Sequence, residues 1–281
     1  MTLTDVQVKD IAIRANDIRQ TIVAMLAEAK SGHTAGSLDM ADIFATLYVH
    51  VLKHDPKNPE WSERDWLILS NGHVAPVQYA AMAHAGYFPV EECMTLRSFG
   101  SRLQGHPERA LLPGVETTSG PLGSGLSQAA GVALALRIDG KQNRVFCAVS
   151  DGEYEEGNTW EAMMCAAKYK LNNLTAIMDR NLIQIDGSTE DVMPLESLVD
   201  KCRAFNWHVI EIDGHDIRQI AAACDEANTV VDKPTMILAR TIPGKGIRSI
   251  EGEYRWHGKS PNEDEATVFL EELRVARASI V

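Results

Sequence analysis

The chain has 281 residues, enough to bury a sizeable core in one large domain or two small ones. Acidic side chains outnumber basic ones, 39 to 27, and the net charge of −12 argues against nucleic-acid or anionic-membrane partners. With 45% apolar and 23% charged residues, the composition is that of a globular protein, neither disordered nor a disulfide scaffold.

No apolar run approaches the roughly 20 residues of a membrane helix. The first ten residues carry Asp5 and Asp10 and lack the apolar core of a signal peptide. Cys93, Cys147, Cys165, Cys202 and Cys224 form no Cys-x-x-Cys pair and are odd in number. They read as reduced, mostly buried thiols of a cytoplasmic protein, and cysteine-ligated zinc is disfavoured.

Apolar residues at Val8, Ile11, Ala12, Ile18, Ile22, Met25 and Leu26 predict a helix over Thr4 to Lys30, with Gly32 as its stop. A second helix is expected from Leu38 to Leu52, before Pro56 and Pro59 break the chain. Trp66 to Leu69 has the character of a short buried strand. It leads into Ser70-Asn71-Gly72-His73 and a helix ending near Ala85. Ser98 to Ser127 holds six glycines and three prolines and predicts a long loop; loops of that length in a compact chain usually carry function.

A regular alternation follows. Strands are expected at Val145–Val149, Leu174–Met178, Trp207–Ile212 and Thr235–Ala239, and helices at Thr159–Tyr169, Leu195–Ala204 and Ile217–Ala227. That order predicts an α/β fold: a doubly wound parallel sheet with helices on both faces. The tail from Glu263 is charged, then weakly amphipathic around Phe269, Leu270 and Leu273.

In such a sheet, ligands sit beyond the carboxyl ends of the strands. Asp151-Gly152 follows one predicted strand and Asn181-Leu182-Ile183 follows the next, 30 residues on from Asp151, the length of one strand-helix-strand unit. A carboxylate, an amide oxygen and a backbone carbonyl form a hard oxygen site suited to Mg²⁺ or Ca²⁺ with ligand phosphates. Gly152 allows close approach to the backbone, and the helix opening near Gly157 turns its positive end to the same place. The plainer alternative is a solvated turn, in which Glu153, Glu155 and Glu156 are favoured by the helix dipole alone.

The pairing of Asp151-Gly152 with Asn181-x-Ile183 resembles the thiamine diphosphate motif. The chain as a whole is similar to the N-terminal, diphosphate-binding part of transketolases. The resemblance runs in order through Ser31-Gly32-His33-Thr34-Ala35-Gly36-Ser37, Ser70 to His73, Gly105-His106-Pro107-Glu108, Pro113 to Glu116, Gly120-Pro121-Leu122-Gly123-Ser124-Gly125 and Trp256-His257-Gly258. It implies one domain over residues 1–281 that binds thiamine diphosphate and Mg²⁺, with Ca²⁺ or Mn²⁺ as substitutes.

By that resemblance Asp151, Asn181 and the carbonyl of Ile183 would hold the metal. Gly152, Asn181, His73, His257 and the backbone of Gly120, Pro121 and Leu122 would hold the cofactor, and Glu156 matches a family glutamate between two active sites. His33, His106 and His257 would line the substrate channel, hydrogen-bond the sugar hydroxyls and move protons at the carbonyl. His50, His54, His84, His208 and His215 lie outside these segments and read as structural or exposed. Lys245 is open between an anion ligand and a solvated loop lysine. Ser150 stands where many family members have glycine.

The pyrimidine-binding and C-terminal domains of a full transketolase have no counterpart in these 281 residues, nor does the glutamate that protonates the aminopyrimidine. The resemblance therefore implies a transferase active only with a separate C-terminal subunit, in an α₂β₂ assembly. It would move a two-carbon ketol unit from a ketose or its phosphate to an aldose or its phosphate. The alternatives are the matching subunit of a 2-oxoacid dehydrogenase or deoxyxylulose phosphate synthase, and a non-catalytic cofactor-binding module. Gly-His-Pro-Glu and Gly-Pro-Leu-Gly favour the transketolase type.

Overall fold

A computed structural model describes residues 3–280. Its centre is a five-stranded parallel sheet in the order β1-β2-β3-β7-β6. The strands are β1 (Trp66–Leu69), β2 (Val145–Ser150), β3 (Leu174–Arg180), β6 (His208–Asp213) and β7 (Thr235–Arg240). A two-stranded hairpin, β4 (Ile183–Gln184) and β5 (Gly187–Ser188), follows β3 and runs into a short helix, α7 (Thr189–Val192). Strand β3 runs two residues past its predicted end because Asp179 and Arg180 continue to pair with Ala239 and Arg240.

Successive side chains of a strand point to opposite faces, so a sheet buried on both sides needs apolar residues at every position. Strand β2 reads Val-Phe-Cys-Ala-Val-Ser, and all six residues are buried. Phe146 and Ala148 join one core; Val145, Cys147 and Val149 join the other. The first core is closed by α1 (Asp5–Ala29), α3 (Ala41–Thr46), α4 (Ala75–Ala85), α9 (Ile217–Thr229) and α10 (Glu263–Ile280). The second is closed by α5 (Ser124–Ile138), α6 (Gly157–Lys168) and α8 (Leu198–Ala204). The doubly wound sheet with helices on both faces is the fold observed.

Helix α1 starts at a reciprocal cap. The Gln7 N–H donates to Thr4 Oγ1 (3.3 Å) and the Thr4 N–H donates to Gln7 Oε1 (3.0 Å). The single helix expected over Leu38 to Leu52 is instead α2 (Ala35–Asp39), then α3, then a π-turn at Leu47–Val51. Its break falls beside Asp39, whose carboxylate is drawn inward to the Gly244 N–H (2.7 Å). The long loop ends at Gly123 rather than Ser127, because Ser124 to Ser127 open α5, which the glycine-rich reading concealed. The tail forms α10, which buries Ala266, Phe269 and Leu273 against the first core.

All five cysteines are free; four are buried and Cys165 is exposed. Among the described residues no helix is long and apolar enough to cross a membrane.

The long loop is tied to the sheet by one ion pair. Arg64, just before β1, donates through Nε to Glu116 Oε1 (2.8 Å) and through Nη2 to Oε2 (2.6 Å), and its guanidinium lies 4.6 Å from the Trp66 ring centroid. Both side chains are nearly buried, at 12% and 7% exposure. Removing one partner leaves the other's charge desolvated. The Arg64→Ala variant is expected to lose about 3–5 kcal/mol of stability, read from urea unfolding.

Candidate active site

The carboxyl ends of β1, β2, β3 and β7 face one edge of the sheet, and a cavity of about 340 Å³ opens there. Its wall includes His33, His73, His106, His257, Gly120, Leu122, Gly152, Glu156, Asn181 and Ile183. These come from segments spread over more than 220 positions of the chain. Asp151 lies just beneath the wall, 1% exposed. Pro121 is outside it, an exposed turn residue whose carbonyl accepts the Ser124 hydroxyl (2.7 Å). A roomier groove of about 490 Å³ beside Lys30 and Asn262 contains no histidine.

Strand β2 delivers Asp151 and β3 delivers Asn181 and Ile183, as the 30-residue spacing predicts. Asp151 accepts from Gly152 N–H (2.8 Å), Leu182 N–H (2.8 Å) and Arg180 Nη1 (2.9 Å). Burial pushes its carboxyl up to about 6, against the pull of Arg180. Asn181 has only one orientation compatible with its neighbours. Its amide NH₂ donates to Asp39 Oδ2 (3.1 Å) and Asp179 Oδ2 (3.0 Å), so Oδ1 faces the Ile183 N–H (3.1 Å). Burial raises both supporting carboxyls, reinforced at Asp39 by Asp179 and at Asp179 by Asp151. Helix α6 begins at Gly157 as expected, but a 3₁₀ turn, Gly152–Glu155, stands between it and Asp151.

Three histidines converge from three loops. The His33 and His73 ring centroids are 4.9 Å apart, His73 and His257 5.3 Å, and His33 and His257 5.6 Å. His257 takes its place among them through a 3₁₀ turn, Tyr254–Trp256, next to the Lys259 carbonyl that accepts the Thr34 hydroxyl (2.6 Å). Burial lowers all three imidazoles, His33 to about 4, with His257, Arg97 and His106 adding to the shift at His33. They are therefore neutral near pH 7, each with one N–H and one lone pair. His106 sits at the exposed rim.

The remaining histidines are structural or at the surface. His54 bridges the Tyr48 carbonyl and Tyr87, His84 meets Thr21, His208 meets Glu226, and His215 joins Asp42 to the Ile242 N–H. Lys245 pairs with Glu251 at 3.7 Å and is not in the cavity wall.

Sequence reasoning passes over three groups. Asp39 fixes the Asn181 amide; its signal is an acid set among Leu38, Met40 and Ala41. Arg97 is exposed beside the cavity mouth, donates to Ser31 Oγ (2.8 Å) and sits near His33 and His106. Glu153 is 0% exposed, whereas the solvated-turn alternative places it in water. Glu156 alone of that acidic trio is exposed.

The residues fit a diphosphate held through a divalent metal. A Cβ added at Gly120 or Gly152 would meet nothing within 4 Å, so both present open backbone to the cavity. His33 Nδ1 and His257 Nδ1 are buried and unpartnered, which leaves polar positions for a ligand. Among the described residues no group of three His, Cys, Asp or Glu side chains could cage a metal. One carboxylate, one amide oxygen and one carbonyl, completed by ligand oxygens, match the sparing way Mg²⁺ is held.

The depressed His33 pKa has a consequence for stability. The unfolded chain takes up a proton as pH falls through 6.5, and the folded chain does so only near 4. The His33 contribution is thus harmless above pH 6.5 and increasingly destabilising as pH drops from 6.5 to 4. Urea midpoints measured across that range should fall less steeply with acidification for His33→Gln than for the parent chain.

Comparison with known proteins bears on the same segments. Residues 11–276 match the family described as transketolase, thiamine diphosphate binding domain. The 6-deoxy-6-sulfo-D-fructose transketolase subunit SqwG of Clostridium sp. is 43% identical over 255 residues, covering 91% of this chain and 93% of that one. One of the apulose-4-phosphate transketolase subunits of Actinobacillus succinogenes is 40% identical, covering 93% of this chain and 95% of that one. A solved transketolase mutant of Pichia stipitis superposes with a TM-score of 0.89 at 32% identity, covering 96% of this chain and 41% of that one. Transketolase of Leishmania mexicana superposes with a TM-score of 0.84 at 30% identity, covering 100% of this chain and 46% of that one. This chain thus spans nearly the whole of the subunit relatives and less than half of the solved transketolases. It belongs to the transketolase family, whose thiamine diphosphate-binding domain it carries in the order its motifs announce.

Proposed function

We propose that this chain is the N-terminal subunit of a two-chain transketolase, transferring a two-carbon ketol unit from a ketose or ketose phosphate to an aldose or aldose phosphate. The observation that carries this reading is the convergence of His33, His73 and His257 on the cavity whose floor holds Asp151 and Asn181. A module that only bound the cofactor would need His73 and His257 but not His33 and His106 beside them. The names of the two subunit relatives favour a separate partner chain; the assembly we propose is α₂β₂, with sites at the interfaces.

Asp151, Asn181 Oδ1 and the Ile183 carbonyl would hold Mg²⁺, which joins the acidic floor to the anionic diphosphate. Ca²⁺ or Mn²⁺, also hard cations, would substitute. The backbone around Gly120 to Leu122, together with Gly152, His73 and His257, would receive the cofactor, with Glu156 at the rim towards the partner. Bound thiamine diphosphate supplies a nucleophilic thiazolium carbon and an electron sink for the two-carbon unit.

The chain's own contribution is proton management and orientation. His33 and His257, kept neutral by burial, can accept or donate a hydrogen bond to a sugar hydroxyl and move a proton at the substrate carbonyl oxygen. His106 at the rim would meet the sugar as it enters. Arg97, held by Ser31 beside the mouth, suits an anionic group at the far end of the substrate. The partner would bring the pyrimidine-binding half and its activating glutamate.

The test is calorimetric titration of the purified chain with thiamine diphosphate in the presence of Mg²⁺, followed by a ketol-transfer assay with and without the co-purified partner. Binding without turnover, and turnover once the partner is added, are expected; normal turnover by the chain alone would refute the split. Asp151→Ala should weaken metal-dependent binding by at least the roughly 10–100-fold that loss of a supporting contact costs. Chelation of the metal should release the cofactor and abolish transfer.

A further inference from the structure

We propose that Glu153 is the positioning residue of the diphosphate cradle: its buried carboxylate holds three cofactor-binding segments in register with one another. The proposal rests on the thiamine diphosphate reading of the cavity and names the group that gives the cradle its shape.

Glu153 is 0% exposed and has no cation beside it; hydrogen-bond donors satisfy it instead. Oε1 accepts the Ser70 hydroxyl (2.5 Å) and the Gly123 N–H (2.7 Å), and Oε2 accepts the Ser150 N–H (2.9 Å). Each donor belongs to a different wall of the cavity. Ser70 begins the segment that carries His73. Gly123 closes the Gly120 to Leu122 turn. Ser150 is the last residue of β2, one before Asp151.

The contacts around this carboxylate leave little slack. Ser70 Oγ also accepts the Gly125 N–H (3.1 Å), and the Glu153 carbonyl accepts the Thr159 hydroxyl from α6 (2.6 Å). A Cβ on Gly125 would come within 2.4 Å of Ser70 Cβ, and one on Gly123 within 2.1 Å of Asn158 Oδ1. Gly123 also has a φ of +78°, so glycine is required there for backbone as well as space. The turn is therefore pressed against Ser70 and α6, and the carboxylate is what joins it to Ser70 and to the end of β2. Without that carboxylate, two backbone N–H groups would be buried with no partner, which a tight turn answers by shifting.

The chemistry requires an acceptor at both oxygens. In the Glu153→Gln variant one oxygen becomes an NH₂, which would face a backbone N–H, either of Gly123 or of Ser150. The near-isosteric change therefore breaks the clamp without changing its volume. Ser70→Ala is the milder variant: it removes one donor to the carboxylate and the acceptor of the Gly125 N–H, and keeps the carboxylate with both backbone contacts.

Hydrogen exchange and cofactor titration on the full chain separate positioning from bulk stability. In Glu153→Gln, amides at 119–126 and 149–152 should exchange about tenfold faster or more, while those of β7 at 235–240 stay as in the parent. The thiamine diphosphate Kd with Mg²⁺ should rise about tenfold or more, the scale of losing a supporting contact to a ligand site. Ser70→Ala should move both readouts the same way by less. A uniform rise in exchange across the chain, or a Kd within twofold of the parent, would overturn the proposal. If Glu153→Gln does not fold, an unchanged Kd and unchanged local exchange in Ser70→Ala overturn it equally. Failure of the parent chain to bind the cofactor would instead count against the function proposed above, while local exchange in Glu153→Gln would still decide the clamp.

Discussion

Five strands running in one direction place all their carboxyl ends on one edge of the sheet, and the site depends on that constraint. Parallel pairing obliges each strand to return by a long crossover, so the segments meeting at that edge are distant in the chain. Register then does the alignment. Ser150 stands opposite Asp179, which puts Asp151 and Asn181 just beyond the ends of two hydrogen-bonded neighbours. Burial of both faces makes that register rigid, because a slip of one residue would send Phe146 and Ala148 into the wrong core.

The net charge of −12 looks unpromising for an anionic ligand, yet the fully buried acids Asp39, Asp151, Glu153 and Asp179 are each accounted for locally. Asp151 is balanced by Arg180, itself 1% exposed and shared with Glu190 and Glu196. Glu153 is satisfied by a hydroxyl and two backbone N–H groups. Asp39 and Asp179 share the amide of Asn181, and Asp179 also accepts the Thr241 hydroxyl. A buried carboxylate is tolerable only with such partners. These partners also fix the oxygens of Asp151 and Asn181 proposed to take the metal.

The histidine cluster works by the opposite logic. The three imidazoles lie within 4.9 to 5.6 Å of each other, and charging any of them is opposed by burial, helped by His257 at His33 and by both His33 and His257 at His73. The cluster therefore stays neutral where a lone surface histidine would be partly charged. A neutral imidazole can both give and take a proton, which suits a reaction that passes protons to and from sugar oxygens.

Much of this was determined by the sequence alone. Periodicity marks α1, β2, β3, β6, α9 and β7 because a strand buried on both faces and an amphipathic helix leave different local patterns. Strand-helix-strand spacing marks Asp151 and Asn181, since such a unit has a nearly constant length, and the resemblance to transketolases marks His33, His73, His106 and His257. Boundaries that depend on non-local contacts were decided only in three dimensions. Helix α5 hides inside a glycine-rich run, and the expected helix over Leu38 to Leu52 breaks beside Asp39. The inward turn of Glu153, the orientation of the Asn181 amide and the approach of Arg97 were likewise decided by tertiary structure. An acid written next to other acids reads as solvated until its partners, 83 and 30 positions away in the chain, are folded against it.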